Sequence, residues 1–308
     1  MIQSRDSSLL ATTRQQVTIV AGKGGVGKST VSVASALANA RAGKSVILLS
    51  TDTSTIITKA EKEVASAGDF LSGRPVFQLL RAEEILIEYL ETHGLASLGK
   101  RLISTGVVSV IATAVPGIRE LLILAKIKQL AQSGEYEKII FDAPASGHLM
   151  TLLSSPVGLK DIAKVGLLKN QADDVEELLN DRSRSGLTIV TLPEETPVTE
   201  SIETIAKIRE LKSISVNSIV VNQRIAAPKL SASGVASILD SRDASPSVRA
   251  YEYVVSREKI ADTEIKRLIH GVSDVEIIEL PYLYQSNLSI ADLEKLVARE
   301  IIREGNLR

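Results

Sequence analysis

The sequence predicts an α/β fold built on a doubly wound, mostly parallel sheet that carries an inserted helical subdomain. Three observations lead to this prediction. Short runs of Val, Ile and Leu alternate with helical patterns along nearly all 308 residues, most of these runs are apolar at consecutive positions, and a glycine-rich turn joins the first run to a helix. Strands covered by helices on both faces read as continuous apolar runs, which is typical of parallel sheets.

Seven apolar runs predict the strands, because each is short, rich in β-branched residues and bounded by turn residues or helical sequence. In chain order they are 16–21, 45–49, 75–80, 138–142, 187–192, 215–222 and 275–280. Helical patterns lie between and after these runs, and Gly or Pro marks several of their ends. They are 28–41, closed by Gly43, 82–132 with breaks at Gly94 and Pro116, 155–182 as one or two helices, 199–211, 251–270 and 289–303.

The chain is predicted to form one domain, 1–308, because no internal repeat of fixed period is visible and the glycine-rich signature occurs once. Residues 53–137 interrupt the rhythm of strands with mostly helical sequence, and we expect a helical insertion there. Within it, the uncharged run 102–118 is shorter than the roughly 20 apolar residues that cross a bilayer. This run is interpreted as a helix that either lines a groove or belongs to the core of the subdomain.

Composition excludes several classes of protein. The 36 Lys and Arg residues balance 37 Asp and Glu residues, so no basic field favours nucleic acid, and we expect at most transient membrane contact. The absence of Cys excludes disulfides, cysteine nucleophiles and thiolate sites for zinc or metalloids. The first sixteen residues lack the apolar stretch of a signal peptide, and the expected location is therefore cytoplasmic.

A phosphate-binding motif occupies residues 22–29, where the sequence GKGGVGKS fits the pattern G-x-x-x-x-G-K-[ST] between a strand and a helix. Glycines let successive backbone N–H groups approach a phosphate closely, and the helix that follows adds its positive N-terminal end. Lys28 is expected to reach the β- and γ-phosphates of ATP or ADP, and the Ser29 hydroxyl to bind Mg²⁺. The residues predicted to contact the nucleotide here are Gly22, Gly24, Gly25, Val26, Gly27, Lys28, Ser29 and Thr30.

Lys23 is an additional lysine within this loop that the general pattern does not demand. The form G-K-G-G-V-G-K-[ST] resembles the deviant loop of the MinD/ParA proteins, the nitrogenase iron protein, the arsenite-pump ATPase and the Get-pathway targeting ATPase. In those families the early lysine crosses a dimer interface to the partner's nucleotide. The resemblance therefore implies a catalytic role for Lys23 in a homodimer or a heterodimer of paralogues.

Two further segments narrow the resemblance to the ArsA/Get ATPase family, a group of P-loop NTPases. Residues 50–54, STDTS, are similar to the start of the family's switch I, S-T-D-P-A-H-S, and Asp52 matches the aspartate that orients the attacking water. The Pro, Ala and His that follow are replaced by Thr53, Ser54 and Thr55. An aspartate at a strand end is otherwise a turn or capping residue.

The sequence DAPASGH at 142–148 is similar to the family's switch II, D-T-A-P-T-G-H. The resemblance makes Asp142 the carboxylate that holds the magnesium and its water, with Ser29 and Asp52 completing the metal group. Gly147 and His148 match switch elements, and no role as a base is assigned to His148.

The later segments 116–121, 190–201, 220–223 and 280–283 also resemble family motifs. They place Asn222 at the adenine edge, where an amide both donates and accepts, and Pro281 in the loop that closes over the base. A turn-forming asparagine is the alternative for Asn222.

The resemblance implies an ATP-hydrolysing dimeric switch that handles a hydrophobic protein client. Arsenite transport and a zinc clamp are both excluded because each needs cysteines. Two alternatives stay open, namely a positioning ATPase of the MinD/ParA kind and a regulatory subunit that binds nucleotide but hydrolyses it weakly because of its altered switch I.

Overall fold

A computed structural model describes residues 15–66, 74–92, 94, 117–162, 166–230, 234, 246–272, 274–299 and 301–303. In this part of the chain one eight-stranded sheet has the order β3-β2-β4-β1-β5-β6-β7-β8. The strands are β1 Val17–Gly22, β2 Val46–Ser50, β3 Val76–Leu79, β4 Lys138–Asp142, β5 Ser185–Thr191, β6 Val216–Arg224, β7 Glu276–Pro281 and β8 Ile301–Arg303. The order doubles back from β1 towards both edges, which confirms the doubly wound sheet.

The strands β1 to β7 pair in parallel, and only β8 runs antiparallel, against β7. In the centre of the sheet, Val17 of β1 lies opposite Ile139 of β4 on one side and Ser185 of β5 on the other. The carboxyl ends of β1, β2 and β4 therefore meet at one edge. This edge is where ligands bind in open parallel sheets.

Nine helices of seven or more residues accompany the sheet in the described ranges. They are α1 Lys28–Arg41, α2 Thr55–Ser66, α3 Ala82–Thr92, α4 Ile118–Gln132, α5 Ser146–Ile162, α6 Leu167–Asn180, α7 Glu195–Leu211, α8 Pro246–Gly271 and α9 Ile290–Ala298. None of the helices in the described residues is both long and apolar enough to span a bilayer.

Two buried layers lie on opposite faces of the sheet, because successive side chains of a strand point to opposite faces. Ile19 of β1 packs in the layer beneath α4 to α8, whereas Val20 packs in the layer beneath α1, α2 and α9. Phe141 and Ile140 of β4 divide in the same way. The continuous apolar runs of the sequence thus serve both layers at once.

Several element boundaries differ from the sequence prediction, among them the start of α8, which lies at Pro246 rather than at 251. The predicted closing helix 289–303 ends as α9 at Ala298, and Ile301–Arg303 becomes a strand because the open edge of β7 offers unpaired backbone groups. The predicted helical stretch 155–182 begins earlier, at Ser146, and forms two helices, the second of which starts after Gly166, whose φ is 94°. Helix α7 begins at Glu195 rather than at 199, since Pro197 is tolerated in a first helical turn.

The range predicted as a helical insertion, 53–137, contains α2, β3, α3 and α4 among its described residues. The edge strand β3 pairs with β2 and so extends the main sheet. The run 102–118 lies outside the described residues except for Gly117 and Ile118.

Candidate functional site

The glycine-rich loop follows β1 and leads directly into α1, as the sequence predicted. A Cβ on Gly22 would lie 2.2 Å from the Val190 carbonyl oxygen, so only glycine lets the loop leave the sheet this close to β5. Gly25 has a φ of 86°, and a Cβ there or on Gly24 would meet nothing within 4 Å. The loop therefore presents an open backbone surface on the side where a phosphate would approach.

Lys28 stands at the first position of α1 and extends back over the loop. Its Nζ donates to the Lys23 carbonyl oxygen at 3.2 Å. Burial lowers the pKa of Lys28, and the nearby carboxylates of Asp142 and Asp52 oppose this effect. The ammonium group is thus held over the loop in a setting where additional negative charge, such as a phosphate, favours its charged form.

Asp142 ends β4 directly behind the loop, in register with Val20 of β1 and Ser50 of β2. Its carboxylate accepts hydrogen bonds from Ser29 Oγ at 2.6 Å and from Ser32 Oγ at 3.0 Å. Burial raises the pKa of Asp142, while these two hydrogen bonds and the charge of Lys28 act in the opposite direction. The structure therefore brings two predicted site residues, Ser29 and Asp142, into direct contact.

Ser32 is a site residue that the sequence analysis did not identify. It is fully buried and lies three positions after Ser29 on α1, so both hydroxyls face the same carboxylate. The spacing of two serines on one helical face, next to a strand-end aspartate, is the signal that could have indicated it.

Asp52 lies just beyond β2, at the same edge of the sheet, and its side chain is exposed. The Ser50 hydroxyl shapes this turn, because it donates to the Asp52 carbonyl oxygen at 2.9 Å and accepts from the Asp52 backbone N–H at 3.2 Å. Helix α2 begins at Thr55, where the sequence departs from the switch I pattern. Asp52 is thus positioned by backbone contacts and leaves its carboxylate open to solvent.

The oxygen atoms at this edge of the sheet are suitable ligands for a magnesium ion. Mg²⁺ prefers oxygen ligands and is usually held by one or two carboxylates together with substrate phosphates and water. The Ser29 hydroxyl, the Asp142 carboxylate and the Asp52 carboxylate supply oxygens around the mouth of the loop. In the described ranges, no three His, Cys, Asp or Glu side chains cluster as a metal-binding group.

Lys23 pairs with a carboxylate of its own chain. Its Nζ lies 2.6 Å from Oε1 of Glu200 on α7. Both side chains are substantially exposed, at 48% for Lys23 and 40% for Glu200. In the sequence, Glu200 lies within the segment 190–201, and no individual role was predicted for it. The contact joins residues that are 177 positions apart.

Asn222, near the end of β6, is buried and supports the loop from the side. Its Nδ2 donates to the Val26 carbonyl oxygen at 3.0 Å, and a Cβ on Gly27 would lie 2.2 Å from the same nitrogen. The amide therefore fixes the conformation of the loop. Its contact with adenine, expected from the sequence, stays a prediction.

Pro281 ends β7 beside β6, and the following residue, Tyr282, donates its backbone N–H to the Arg224 carbonyl oxygen at 2.9 Å. Arg224 in turn contacts the buried Glu279 of β7, with 3.3 Å between Nε and Oε2. These contacts join the ends of β6 and β7 next to Asn222. Neither Arg224 nor Glu279 was indicated by a motif.

The remaining residues of the segment that resembles switch II lie before and at the start of α5. Ala143 donates its N–H to the Val20 carbonyl oxygen at 3.0 Å, which continues the pairing of β4 with β1. Gly147 and His148 follow in the first turn of α5 and are exposed. The segment after Asp142 thus leaves the sheet beside the glycine-rich loop.

Comparison with known proteins identifies sequence relatives over most of the chain. The model of a family described as anion-transporting ATPase matches residues 15–172 and 159–299. ATPase BagA of Mycobacterium tuberculosis is 29% identical over 225 residues, which cover 68% of this chain and 65% of that protein. ATPase GET3 of Chaetomium globosum is 34% identical over 160 residues, or 49% of this chain and 46% of that protein. The chain therefore aligns with 65% of the mycobacterial relative and about half of the fungal one.

Proposed function

Because the chain belongs to the anion-transporting ATPase family, we propose that it hydrolyses ATP, with Mg²⁺, at the loop between β1 and α1. The observation that carries this proposal is the contact between Ser29 and Asp142 at 2.6 Å, close enough to Lys28 for the charge of this lysine to oppose the effect of burial on the pKa of Asp142. Phosphoryl transfer depends on positioning and charge neutralisation rather than on covalent chemistry by the protein. A hydroxyl, a carboxylate and a lysine around a glycine-rich loop supply these functions.

Each side chain has a defined part in this reaction. The loop N–H groups and Lys28 bind the β- and γ-phosphates, and they stabilise the charge that spreads over the phosphoryl oxygens in the transition state. Ser29 and Asp142 would hold the magnesium ion, which neutralises phosphate charge when it is bound. Asp52, exposed at the mouth of the site, orients the water that attacks in line with the leaving ADP. The bond between the β–γ bridging oxygen and the γ-phosphorus then breaks.

The proposal includes a dimer in which Lys23 of each subunit reaches the partner's nucleotide. Support comes from the exposure of Lys23 and from the form of the loop, which has this lysine beside Lys28. Charge supplied from a second subunit acts on the transition state as an arginine finger does. The partner is either a second copy of the chain or a paralogue.

A hydrophobic protein client is the cargo that we propose. The chain has no Cys to bind arsenite or zinc, and its near-neutral charge does not favour nucleic acid. The proposed helical insertion, 53–137, would supply the client surface. Its described helix α4 uses Leu121, Leu124 and Ile127 to pack on the sheet, so the surface for a client must come from other residues.

A second candidate function is a regulatory subunit that binds nucleotide but hydrolyses it weakly. Thr53, Ser54 and Thr55 stand where the resembled switch I has Pro, Ala and His, and α2 begins within this segment. This candidate predicts tight ATP binding without turnover.

Substitution of Lys28 and Asp52 tests the proposal. We expect Lys28→Ala to lower the ATPase rate at least about 100-fold, since an electrostatic contact to the transition state is lost. Asp52→Asn should lower the rate while ATP binding, measured with a fluorescent analogue, is retained. Lys207→Ala, at an exposed lysine of α7, is the matched control and should keep the parental rate. Parental rates for Lys28→Ala and Asp52→Asn would contradict the proposed site, whereas tight binding without turnover in the parent would establish the regulatory subunit.

A further inference from the structure

The additional lysine of the loop is held within its own chain by a carboxylate that sequence motifs did not assign. Lys23 Nζ and Glu200 Oε1 are 2.6 Å apart, between the loop after β1 and helix α7. A lysine side chain that pairs with Glu200 cannot at the same time extend into a second subunit. The contact therefore competes with the proposed role of Lys23.

The carboxylate stands on a rigid support. Val198 and Ser201, on either side of Glu200, are buried, and Ser201 Oγ donates to the Pro197 carbonyl oxygen at 2.7 Å. Arg267 of α8 donates to the Glu195 carbonyl oxygen at 2.6 Å and to Thr199 Oγ1 at 2.8 Å. The start of α7 is thus tied to the core and to α8, so separation of the pair requires movement of Lys23 rather than of Glu200.

The second carboxylate oxygen of Glu200, Oε2, gives a reason why the contact with Lys23 stabilises this side chain. Oε2 is buried and has no hydrogen-bond partner in the part of the chain that the structure describes. A buried acceptor that lacks a partner carries a desolvation cost, and the ammonium group of Lys23 offsets it. The isolated subunit therefore favours the paired state.

The pair is nevertheless weak enough to be opened by nucleotide. Exposed ion pairs contribute little to stability, and salt screens them. The Lys23 carbonyl oxygen also accepts the hydrogen bond from Lys28 Nζ. A phosphate that draws Lys28 towards itself would remove this bond and release the backbone on which Lys23 stands.

We propose that Glu200 is a positioning residue that retains Lys23 in its own subunit until ATP is bound, and thereby sets the threshold for assembly of the composite site. This inference rests on the proposed function, because it requires Lys23 to act on a partner's nucleotide. Binding of the phosphates to Lys28 frees Lys23, and the freed lysine completes the site of the second subunit. Glu200 does not touch the nucleotide.

The dependence of the ATPase rate on protein concentration tests the proposal. Glu200→Gln keeps the shape of the side chain and removes its charge, so the half-maximal concentration should fall about 2- to 5-fold at low salt. The shift should diminish in 0.5 M NaCl, because screening already weakens the parental pair. Glu203→Gln, at an exposed glutamate one turn along α7, is the control and should match the parent. An unshifted midpoint or a lower maximal rate for Glu200→Gln would overturn the proposal.

Zero-length crosslinking provides a second measurement that does not depend on a variant. A carbodiimide joins a lysine to a carboxylate only when the two are in contact, and mass spectrometry identifies the linked peptides. We expect a link between Lys23 and Glu200 within one nucleotide-free chain, and less of it with Mg²⁺ and ATP. The Lys169–Asp173 pair on α6, at 2.5 Å, is the internal control and should not change. Equal yields of the Lys23–Glu200 crosslink with and without ATP would overturn the proposed role of Glu200.

The Lys23→Ala variant distinguishes a failure of the proposed function from a failure of the role proposed for Glu200. If it hydrolyses ATP at the parental rate at every protein concentration, Lys23 does not act in trans, and the dimeric part of the proposed function fails. If Lys23→Ala is impaired but Glu200→Gln has the parental midpoint, the proposed function stands and the role of Glu200 alone is wrong.

Discussion

Burial disfavours the charged forms of Lys28, Asp142 and Lys138. It lowers the pKa of Lys28, raises the pKa of Asp142 and lowers the pKa of Lys138. Lys28 and Asp142 are close enough for each charge to favour the other, which limits the cost of keeping both charges in the proposed nucleotide site. Lys138 lies at the opposite end of β4, where the neighbouring charge of Lys44 increases its shift instead of opposing it.

Lys138 makes the stability of the fold depend on pH. Its pKa falls from 10.5 to about 7 on folding. Between these values the unfolded chain binds more protons than the folded chain, so the free energy of unfolding rises with pH across this window. The contribution is greatest above the unfolded pKa and is lost as the pH falls through 7.

We therefore expect Lys138→Met to flatten the pH dependence of stability. Between pH 7 and 9 the parental free energy of unfolding should rise more steeply, by on the order of 1 kcal/mol per pH unit, than that of the variant. Urea denaturation at several pH values measures both slopes. Lys207→Met, at an exposed lysine, is the control. Equal slopes for the parent and Lys138→Met would show that burial of this lysine does not control the pH dependence.

At the scale of elements, the glycine-rich loop depends on strand β6 for its shape. Asn222 donates to the Val26 carbonyl oxygen, and the position of Gly27, whose φ is 91°, leaves no room for a Cβ beside that amide. The loop is thus shaped by its own glycines and by a side chain from two strands away in the sheet.

A double-mutant cycle tests this support. Gly27→Ala should lower stability and weaken ATP binding, because its Cβ clashes with Asn222 and its backbone is strained. Asn222→Ala should cost about 1–3 kcal/mol, since a buried carbonyl oxygen loses its donor. The double variant should be less destabilised than the sum of the two single variants, because Asn222→Ala removes the clash. Additive losses, measured by urea denaturation, would contradict the contact.

The same scale shows where local patterns misplace boundaries. The sequence pattern predicted that the last helix continues to residue 303. In the structure this helix ends at Ala298, and Ile301–Arg303 pairs with β7. The helical spacing of apolar residues contains no information on whether an open strand edge lies nearby in the fold. The start of α5 at Ser146 was also missed, because the small and polar residues that open it resemble a loop.

At the scale of the whole molecule, one sheet separates two apolar layers and carries the proposed nucleotide site at its edge. Ile19 and Val20 are neighbours in β1 but belong to different layers. Loss of either layer therefore exposes the same strands, and the described sheet domain should unfold cooperatively.

Bound nucleotide should raise the midpoint temperature of unfolding, and the domain should still unfold in one transition. At about 100 times the dissociation constant, ATP with Mg²⁺ adds about 2.7 kcal/mol to the folded state, enough to raise the midpoint by about 4 °C. Scanning calorimetry of the parent and of Lys28→Ala measures the difference, and the variant should show little shift. An equal shift in both proteins would place the binding site elsewhere.

The sequence by itself determined the features that depend on neighbouring residues. The glycine spacing of 22–29, the apolar runs of the seven parallel strands and the aspartate that ends β4 are all contiguous patterns. Local backbone preferences and burial on both faces produce them, so they can be read without knowing the strand order.

Only the tertiary structure decided which remote residues meet at the site. The contacts of Lys23 with Glu200 and of Asn222 with Val26 join residues 177 and 196 positions apart, and Ser32 gains its role only because α1 packs against the end of β4. The antiparallel β8 likewise exists because β7 has a free edge for it. Such contacts are set by strand order, register and packing of distant segments, which no local pattern specifies.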